Sequence, residues 1–521
     1  MLGERGPRAV DAEDALGAPA THPVLSGKVP SATERADREP GGVWRDPVAW
    51  AIAAAAFGCY FTISLFRFLT LTPTSWDLGI YTEYVKQLSL LRAPVVDVRG
   101  PGFDLLGDHF QIGLAVLAPF FRLYPSPATL LFFQALLTAV SVFPIMSAAS
   151  LLLGRGSGRL IGFAYGFSWG LQQMIDFDFH EIALAVPLLA FSLSALVRGR
   201  VRAAALWALP LVFVKEDQGF TVAALGLVVM LSSVSRRGEP GTDRGQAFWG
   251  GLLLICWGIF WSALAIIVII PHFNIAHVYP YWTDGGAVSP AGHAAPGAVL
   301  SQLGASWLVK LRTILLILLP VGFLAVGSPL GLIALPSLAL RFVSTNNMYW
   351  GDGYHYNATV MPIVFLAAVD ALSRIRGSDA KRWVDLGTRW VAPAVMLVLA
   401  LAILPSFPLS GVWQPPTYRI GLHVQAEDAA MARVPAGTSV EATLTMVAPL
   451  AARDDTYWIG TAGNPAPRYI VFDSTNSGWS PQPADPLAFV EGRHPGTRYQ
   501  QIFLDNGVYV FRQTSKRGTG Q

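Results

Sequence analysis

Five short runs of this chain place ionisable side chains beside long apolar stretches: Trp76-Asp77, Asp108-His109, Asp176 to Glu181, Lys215-Glu216-Asp217 and Asp352 to His355. Asp77 follows an apolar stretch almost at once, after Thr72-Pro73-Thr74-Ser75. A carboxylate that neighbouring helices partly desolvate can take the proton of a hydroxyl as that hydroxyl attacks. The competing reading is a helix cap, because Asp is a favoured residue ahead of a helix such as the one TEYVKQL predicts. Asp108-His109 also precedes an apolar segment, but a cap does not need a following histidine. The pairing recurs as His180-Glu181 and, less tightly, as Asp352 with His355. Such acid and histidine groupings can shape a polar substrate pocket or coordinate a divalent cation, although no fixed metal-ligand spacing is present.

Asp176, Asp178, His180 and Glu181 lie in MIDFDFHEIA, where alternation with Phe predicts both aspartates on one side of an extended turn. Lys215-Glu216-Asp217 interrupts apolar sequence that otherwise runs from 203 to 234. Ionisable groups near a membrane interior are costly, which makes them candidates for function. Lys215 can hold a phosphate as a point charge, and Asp217 and Glu216 join the candidate pocket. Lys310 and Arg312 sit at the end of a span where basic residues are otherwise scarce. A lipid phosphate would give both a counter-ion, and snorkelling to ordinary headgroups is the plainer alternative.

The elements that must position these residues are membrane helices. The chain has 521 residues, 53% of them hydrophobic and 14% charged, against roughly 25% charged in soluble domains. The net charge of +3 gives no reason to expect nucleic acid as a partner. Two cysteines, Cys59 and Cys256, lie in apolar spans and define no disulfide framework. Residues 1–48 carry no apolar run and read as a disordered cytoplasmic tail. No cleavable signal peptide is read at the start, so the first span doubles as an anchor. Spans are expected near 49–70, 127–152, 160–175, 181–198, 202–215, 219–234, 247–271, 311–327, 329–343, 357–373 and 389–406. The ambiguous stretch is 110–122, apolar but short.

Basic residues decide its placement. If 110–122 lies in the interface, the loops with Arg155/Arg159, Arg198/Arg200/Arg202, Arg236/Arg237/Arg244 and Arg374/Arg376/Lys381/Arg382 all face the cytoplasm. If it crosses, all four face outward. The first arrangement gives eleven spans in a 49–406 transmembrane domain, the N-terminus inside and the C-terminal region outside. Residues 71–126 then form a long first outer loop, and the Pro- and Gly-rich 272–303 segment forms a loop able to cover a site. From 407 to 521 the period shifts: SVEATLTM, YWIG, YIVFD and QIFLDNGVYVFRQ read as strands of a small α/β domain. Asp505-Asn506-Gly507 is a hairpin turn signal. On this topology every acid and histidine run reaches the outer face, and Asp77, Asp108, His109, His180, Glu181, Lys215 and Glu216 are expected to line one cavity there.

Several of these stretches resemble a family of prokaryotic integral membrane proteins, the domain of unknown function 2079 family. The matching residues are Trp76-Asp77-Leu78-Gly79-Ile80-Tyr81, Leu105-Leu106-Gly107-Asp108-His109-Phe110 and Tyr124-Pro125-Ser126-Pro127. Further along are Phe179-His180-Glu181 with Ala185-Val186-Pro187-Leu188, and Val214-Lys215-Glu216-Asp217. His355-Tyr356 with Pro362, and Val434-Pro435-Ala436 ahead of Ser439-Val440, match more weakly. The layout is distantly similar to the C-type glycosyltransferase fold, whose members take a sugar from a polyprenyl-phosphate carrier. By position, that resemblance gives Asp77 the general-base role. The chain departs from the pattern in lacking an Asp-Glu or Asp-x-Asp pair there, which leaves the acceptor and any metal requirement open.

The expected activity is therefore transfer of a sugar from a polyprenyl-phosphate carrier to an envelope glycan, lipid or protein at the outer face of the plasma membrane. Asp77 acts as base. Asp108, His109, Asp178, His180, Glu181, Glu216, Asp217 and His355 shape the pocket, and Lys215, Lys310 and Arg312 hold the carrier phosphate. A transporter or lipid flippase would instead favour charges at the bilayer midplane and paired broken helices. A non-catalytic envelope scaffold leaves the acid and histidine runs without a role.

Overall fold

The computed structural model describes residues 42–73, 75–235, 244–282, 301–377, 381–476, 478 and 481–516. Most of the expected tail and of the 272–303 loop lies outside these residues. The described end of the tail is ordered: Val43–Arg45 forms a 3-10 turn, and Trp44 stacks on Phe143 at 4.4 Å. The first long helix, Pro47–Leu69, starts two residues before the expected span because Asp46 caps it, accepting from Val48 N at 3.0 Å with Pro47 in the first turn.

Among the described residues, five helices are long and apolar enough to cross a bilayer: Pro47–Leu69, Pro127–Leu153, Gly245–Phe273, His355–Arg376 and Arg382–Ser406. Shorter apolar helices cover Glu181–Val197, Val201–Phe213, Gln218–Ser232 and Pro329–Val343. Two expected spans are broken. That at 160–175 divides into Arg155–Gly166 and Trp169–Asp176. That at 311–327 is a helix only over Trp307–Leu318, continuing as 3-10 turns. Pro320 there lacks an N–H for the helical ladder, and Gly322 turns left-handed. The ambiguous segment consists of a 3-10 turn, Ile112–Leu117, and one helical stretch, Ala118–Leu123. Six residues of each rise about 21 Å in all, short of the roughly 30 Å hydrocarbon core.

The C-terminal region carries a five-stranded sheet in the order β2-β1-β3-β5-β4. β1 (Ser439–Ala442) pairs in parallel with β2 (Asp455–Trp458) and β3 (Tyr469–Asp473). β5 (Val508–Lys516) runs antiparallel to β3 and to β4 (Thr497–Asp505). Asn506 and Gly507 form the β4–β5 turn, both with positive φ, as the Asp-Asn-Gly signal predicts. SVEATLTM is not one strand. It leaves β1 at Ala442 and becomes the helix Leu444–Ala451. The expected start of this region at 407 also shifts, because Phe407 and Leu409 are buried in the membrane-helix core.

Two hydrophobic cores position the acid and histidine runs. One fills the helical bundle. The other joins the Asp77–Ser89 helix to the C-terminal region, with Tyr81, Tyr84 and Val85 packed among Ala430, Met446, Val447 and Val471. Trp76 meets Trp458 edge-on at 4.6 Å, and Lys86 Nζ donates to the Asp454 carbonyl at 2.7 Å. The helix that begins with Asp77 is thus held from both sides.

Candidate active site

Glu181 is the centre of the first cluster and is fully buried. Its position comes from a turn that Gln134 fixes. The Gln134 amide donates to the Asp178 carbonyl, and its oxygen accepts from His180 N at 3.0 Å. Asp178 takes a positive φ at this turn. Arg67, near the end of the first helix, pairs with Asp176 at 3.1 Å and with Asp178 at 3.8 Å. Both aspartates therefore face one cation, but not through the extended turn that the Phe/Asp alternation predicts: Asp176 ends a helix, Asp178 is left-handed, and this tight turn brings them together.

A buried carboxylate needs compensation, and Glu181 has three sources. Lys215 Nζ lies 3.1 Å from Oε1, the Tyr81 hydroxyl donates to Oε2, and His180 Nδ1 lies 2.5 Å from Oε2. The His180 ring stacks on His355, with centroids 3.4 Å apart. Phe177 packs beside His355 at 5.1 Å. The cluster therefore takes residues from the Asp77–Ser89 helix, from the 176–181 turn, from 215 and from 355.

Glu216 organises a second cluster. It accepts from His109 Nδ1 at 2.7 Å, from Phe110 N at 3.1 Å and from the Tyr279 hydroxyl at 3.2 Å. The Tyr281 hydroxyl bonds His109 Nε2 at 2.7 Å and donates to Asp108 at 3.0 Å, while Arg99 approaches Asp108 at 3.6 Å. Burial opposes a charge on His109, but the Glu216 carboxylate outweighs it and holds the imidazole pKa above its ordinary value. Capping in this stretch falls to Asp104, which accepts from Leu106 N at 2.9 Å. Asp217 accepts from its neighbour Gln218 at 3.1 Å. Because Lys215 reaches Glu181 and Glu216 reaches His109, two consecutive residues join the clusters.

Asp77 is the first residue of its helix, and Trp76 holds the cap position without a side-chain capping bond. Ser75 Oγ accepts from Asp77 N at 3.0 Å. Burial pushes the Asp77 carboxyl pKa up, opposed by the nearby charges of His180 and Lys215 and by Ser75, and reinforced by Glu181. Asp77 thus shares an electrostatic neighbourhood with the first cluster.

Lys310 and Arg312 already have protein partners. Lys310 donates to the Gln302 carbonyl and lies 4.4 Å above the Trp350 ring, and Arg312 pairs with Asp352 at 2.8 Å. Among the described residues, the one group of three metal-ligating side chains within 4.8 Å of one another is His423, Glu427 and Asp473. Its residues are not among the acid and histidine runs singled out in the sequence. Near Asp77, the cation that faces Glu181 is the Lys215 ammonium.

The sequence alone did not single out Tyr81, Tyr279, Tyr281, Tyr349 or Arg341. Tyr81 had a signal, since it lies one helical turn from Asp77 on the same face. Burial pushes the Tyr349 pKa up, opposed by Lys215 and reinforced by Asp108, Asp217 and Glu216, and its ring meets Tyr356 edge-on at 4.8 Å. Arg341 donates to the carbonyls of Tyr349, Tyr356 and Gly351 and to Asn357 Oδ1, fixing the loop that carries His355.

A family model described as "Predicted membrane protein (DUF2079)" matches residues 67–510. The chain belongs to this family. Comparison with curated proteins gives no significant sequence match. Among solved structures, ArnT from Cupriavidus metallidurans bound to undecaprenyl phosphate superposes with a TM-score of 0.52 and 12% identity, covering 91% of this chain and 99% of that one. The apo form of ArnT gives a TM-score of 0.52 and 12% identity, covering 90% and 98%. At that identity the likeness is one of fold: this DUF2079 member has a fold similar to that of ArnT.

Proposed function

We propose that this DUF2079 protein is a membrane glycosyltransferase that moves a sugar from a polyprenyl-phosphate carrier to an envelope acceptor at the outer face of the plasma membrane. The observation that carries the reading is the convergence of His180, Glu181 and Lys215 with Tyr81, which lies one turn along the helix from Asp77. The fold shared with ArnT, a protein solved with undecaprenyl phosphate bound, supports the carrier class.

In this reading the acceptor hydroxyl attacks the anomeric carbon as Asp77 takes its proton. The new carbon–oxygen bond replaces the bond to the carrier phosphate, and polyprenyl phosphate leaves. Partial burial raises the carboxyl pKa, which makes Asp77 a stronger base than a solvated carboxylate. Lys215 stands within reach to counter the charge that gathers on the departing phosphate. Tyr81 and His180 hold Glu181, and Glu181 holds Lys215. His109, Asp108, Glu216 and the two tyrosines offer polar groups to the sugar or acceptor.

Membranes containing the protein, supplied with a panel of radiolabelled polyprenyl-phosphate sugars, should pass label to an envelope fraction. No transfer from any donor, with carrier-linked label instead appearing across the bilayer, would favour a flippase.

A further inference from the structure

The geometry points to a divalent transition-metal site in the C-terminal region, formed by His423, Glu427 and Asp473. His423 and Glu427 lie one turn apart on the helix Leu422–Met431, and Asp473 ends β3. One ligand atom from each lies within 4.8 Å of the others. His423 Nε2 is 3.0 Å from Asp473 Oδ2.

The surroundings prepare these atoms as ligands. His423 Nδ1 bonds the Asn506 carbonyl at 3.1 Å. A carbonyl only accepts, so Nδ1 carries a proton, and a metal at Nε2 would take the place of the proton that Nε2 shares with Asp473 Oδ2. This support of a ligating imidazole from behind is characteristic of metal sites. Each carboxylate has one oxygen occupied by threonine. Thr475 donates its hydroxyl and its N–H to Asp473 Oδ1 at 2.7 and 2.8 Å, and the Thr445 hydroxyl donates to Glu427 Oε1 at 2.5 Å. Asp473 Oδ2 and Glu427 Oε2 remain for the site. Asp473 is fully buried and Glu427 is only 2% exposed. Two carboxylates this close together away from water are costly to charge, and a cation between them offsets the cost.

Two carboxylates and a neutral imidazole carry two negative charges, which one dication balances. An imidazole ligand favours zinc and its transition-metal neighbours over magnesium or calcium, which prefer all-oxygen sites. Three protein ligands leave a fourth position for water. The His423 side chain is 38% exposed, so the metal has a way in. Bound there, it would tie the first regular helix after the membrane bundle to the end of β3 and the tip of the β4–β5 hairpin.

The test uses the full-length protein in detergent, stripped with EDTA and titrated with Zn²⁺ or Mg²⁺. Bound metal is counted by mass spectrometry after desalting, and Tm is followed in parallel. Glu427→Gln keeps the side-chain shape and its bond to Thr445, and His423→Ala removes the nitrogen ligand. Wild type should retain one equivalent of Zn²⁺ more than either variant. Saturating Zn²⁺ should raise its Tm by about 2–4 °C, with no rise in the variants and none from Mg²⁺. Equal Zn²⁺ retention by all three proteins would overturn the site, as would equal Tm responses. Neither readout depends on sugar transfer.

Discussion

Lys215 Nζ lies 3.1 Å from Glu181 Oε1, joining a residue inside one apolar stretch to a fully buried carboxylate at the head of another. Removing one member of such a pair leaves the other charge stranded. Lys215→Ala should therefore destabilise the protein by about 3–5 kcal/mol, seen as a lower Tm in detergent. Glu181→Gln in the same chain removes the stranded charge and should restore most of that loss. The double variant should still bind a polyprenyl phosphate weakly, because the ammonium is gone. If it binds the carrier as wild type does, Lys215 is a structural counter-ion only.

Glu83 lies on the same helix as Asp77 and accepts from Val98 N at 3.0 Å. Burial raises its pKa from 4.5 to about 8, against the pull of Lys86 and the Val98 bond. The folded state thus holds a proton that the unfolded chain releases. Stability is highest below the unfolded value of 4.5 and falls as pH rises toward about 8. Each unit is worth about 1.4 kcal/mol, so the loss is on the order of a few kcal/mol. Glu83→Gln should flatten the Tm profile between pH 5 and about 8. An unchanged slope in the variant would assign the pH dependence elsewhere.

Gly79 marks where this helix meets the C-terminal region. A Cβ there would fall 2.6 Å from Val447 Cγ1. Gly79→Ala should force the contact open at a cost of about 1–3 kcal/mol, despite the better helix propensity of Ala. Limited proteolysis should release the C-terminal region from the variant sooner than from wild type. Equal rates would mean that Val447 repacks freely.

Topology is a separate expectation from the arginine distribution. Reporter fusions after residue 157 should read cytoplasmic, and those after 290 and 470 external. An external signal at 157 would invert the arrangement and remove the proposed site from the outer face.

Much of the fold is legible in the sequence wherever a local rule suffices. The apolar stretches, the Asn506-Gly507 turn and the shortness of 110–122 all follow from period, length or turn chemistry. SVEATLTM reads wrongly as a single strand because its apolar residues fit either period. Tertiary packing decides it, burying Met446 and Val447 against the Asp77–Ser89 helix. The acid and histidine runs are legible as candidates because charge beside apolar sequence is costly. Their division into a Glu181 cluster and a Glu216 cluster is not, since Tyr81 meets Glu181 across 100 residues and His109 meets Glu216 across 107. Arg341 lacks any local signal, because its partners are mostly carbonyls, and of the His423 group only the His423/Glu427 spacing is local, since Asp473 joins from 50 residues away.

The proposed reaction depends on Asp77 taking the acceptor proton. Asp77→Asn keeps the side-chain shape and removes the proton acceptor, and the helix cap is unaffected because Trp76 holds it. The decisive measurement is the initial rate of sugar transfer from a labelled polyprenyl-phosphate donor, wild type against Asp77→Asn, in preparations of matched Tm. A loss of about 10²–10⁴-fold is expected, with Tm unchanged. Transfer by Asp77→Asn at the wild-type rate would contradict the assignment of Asp77 as the base.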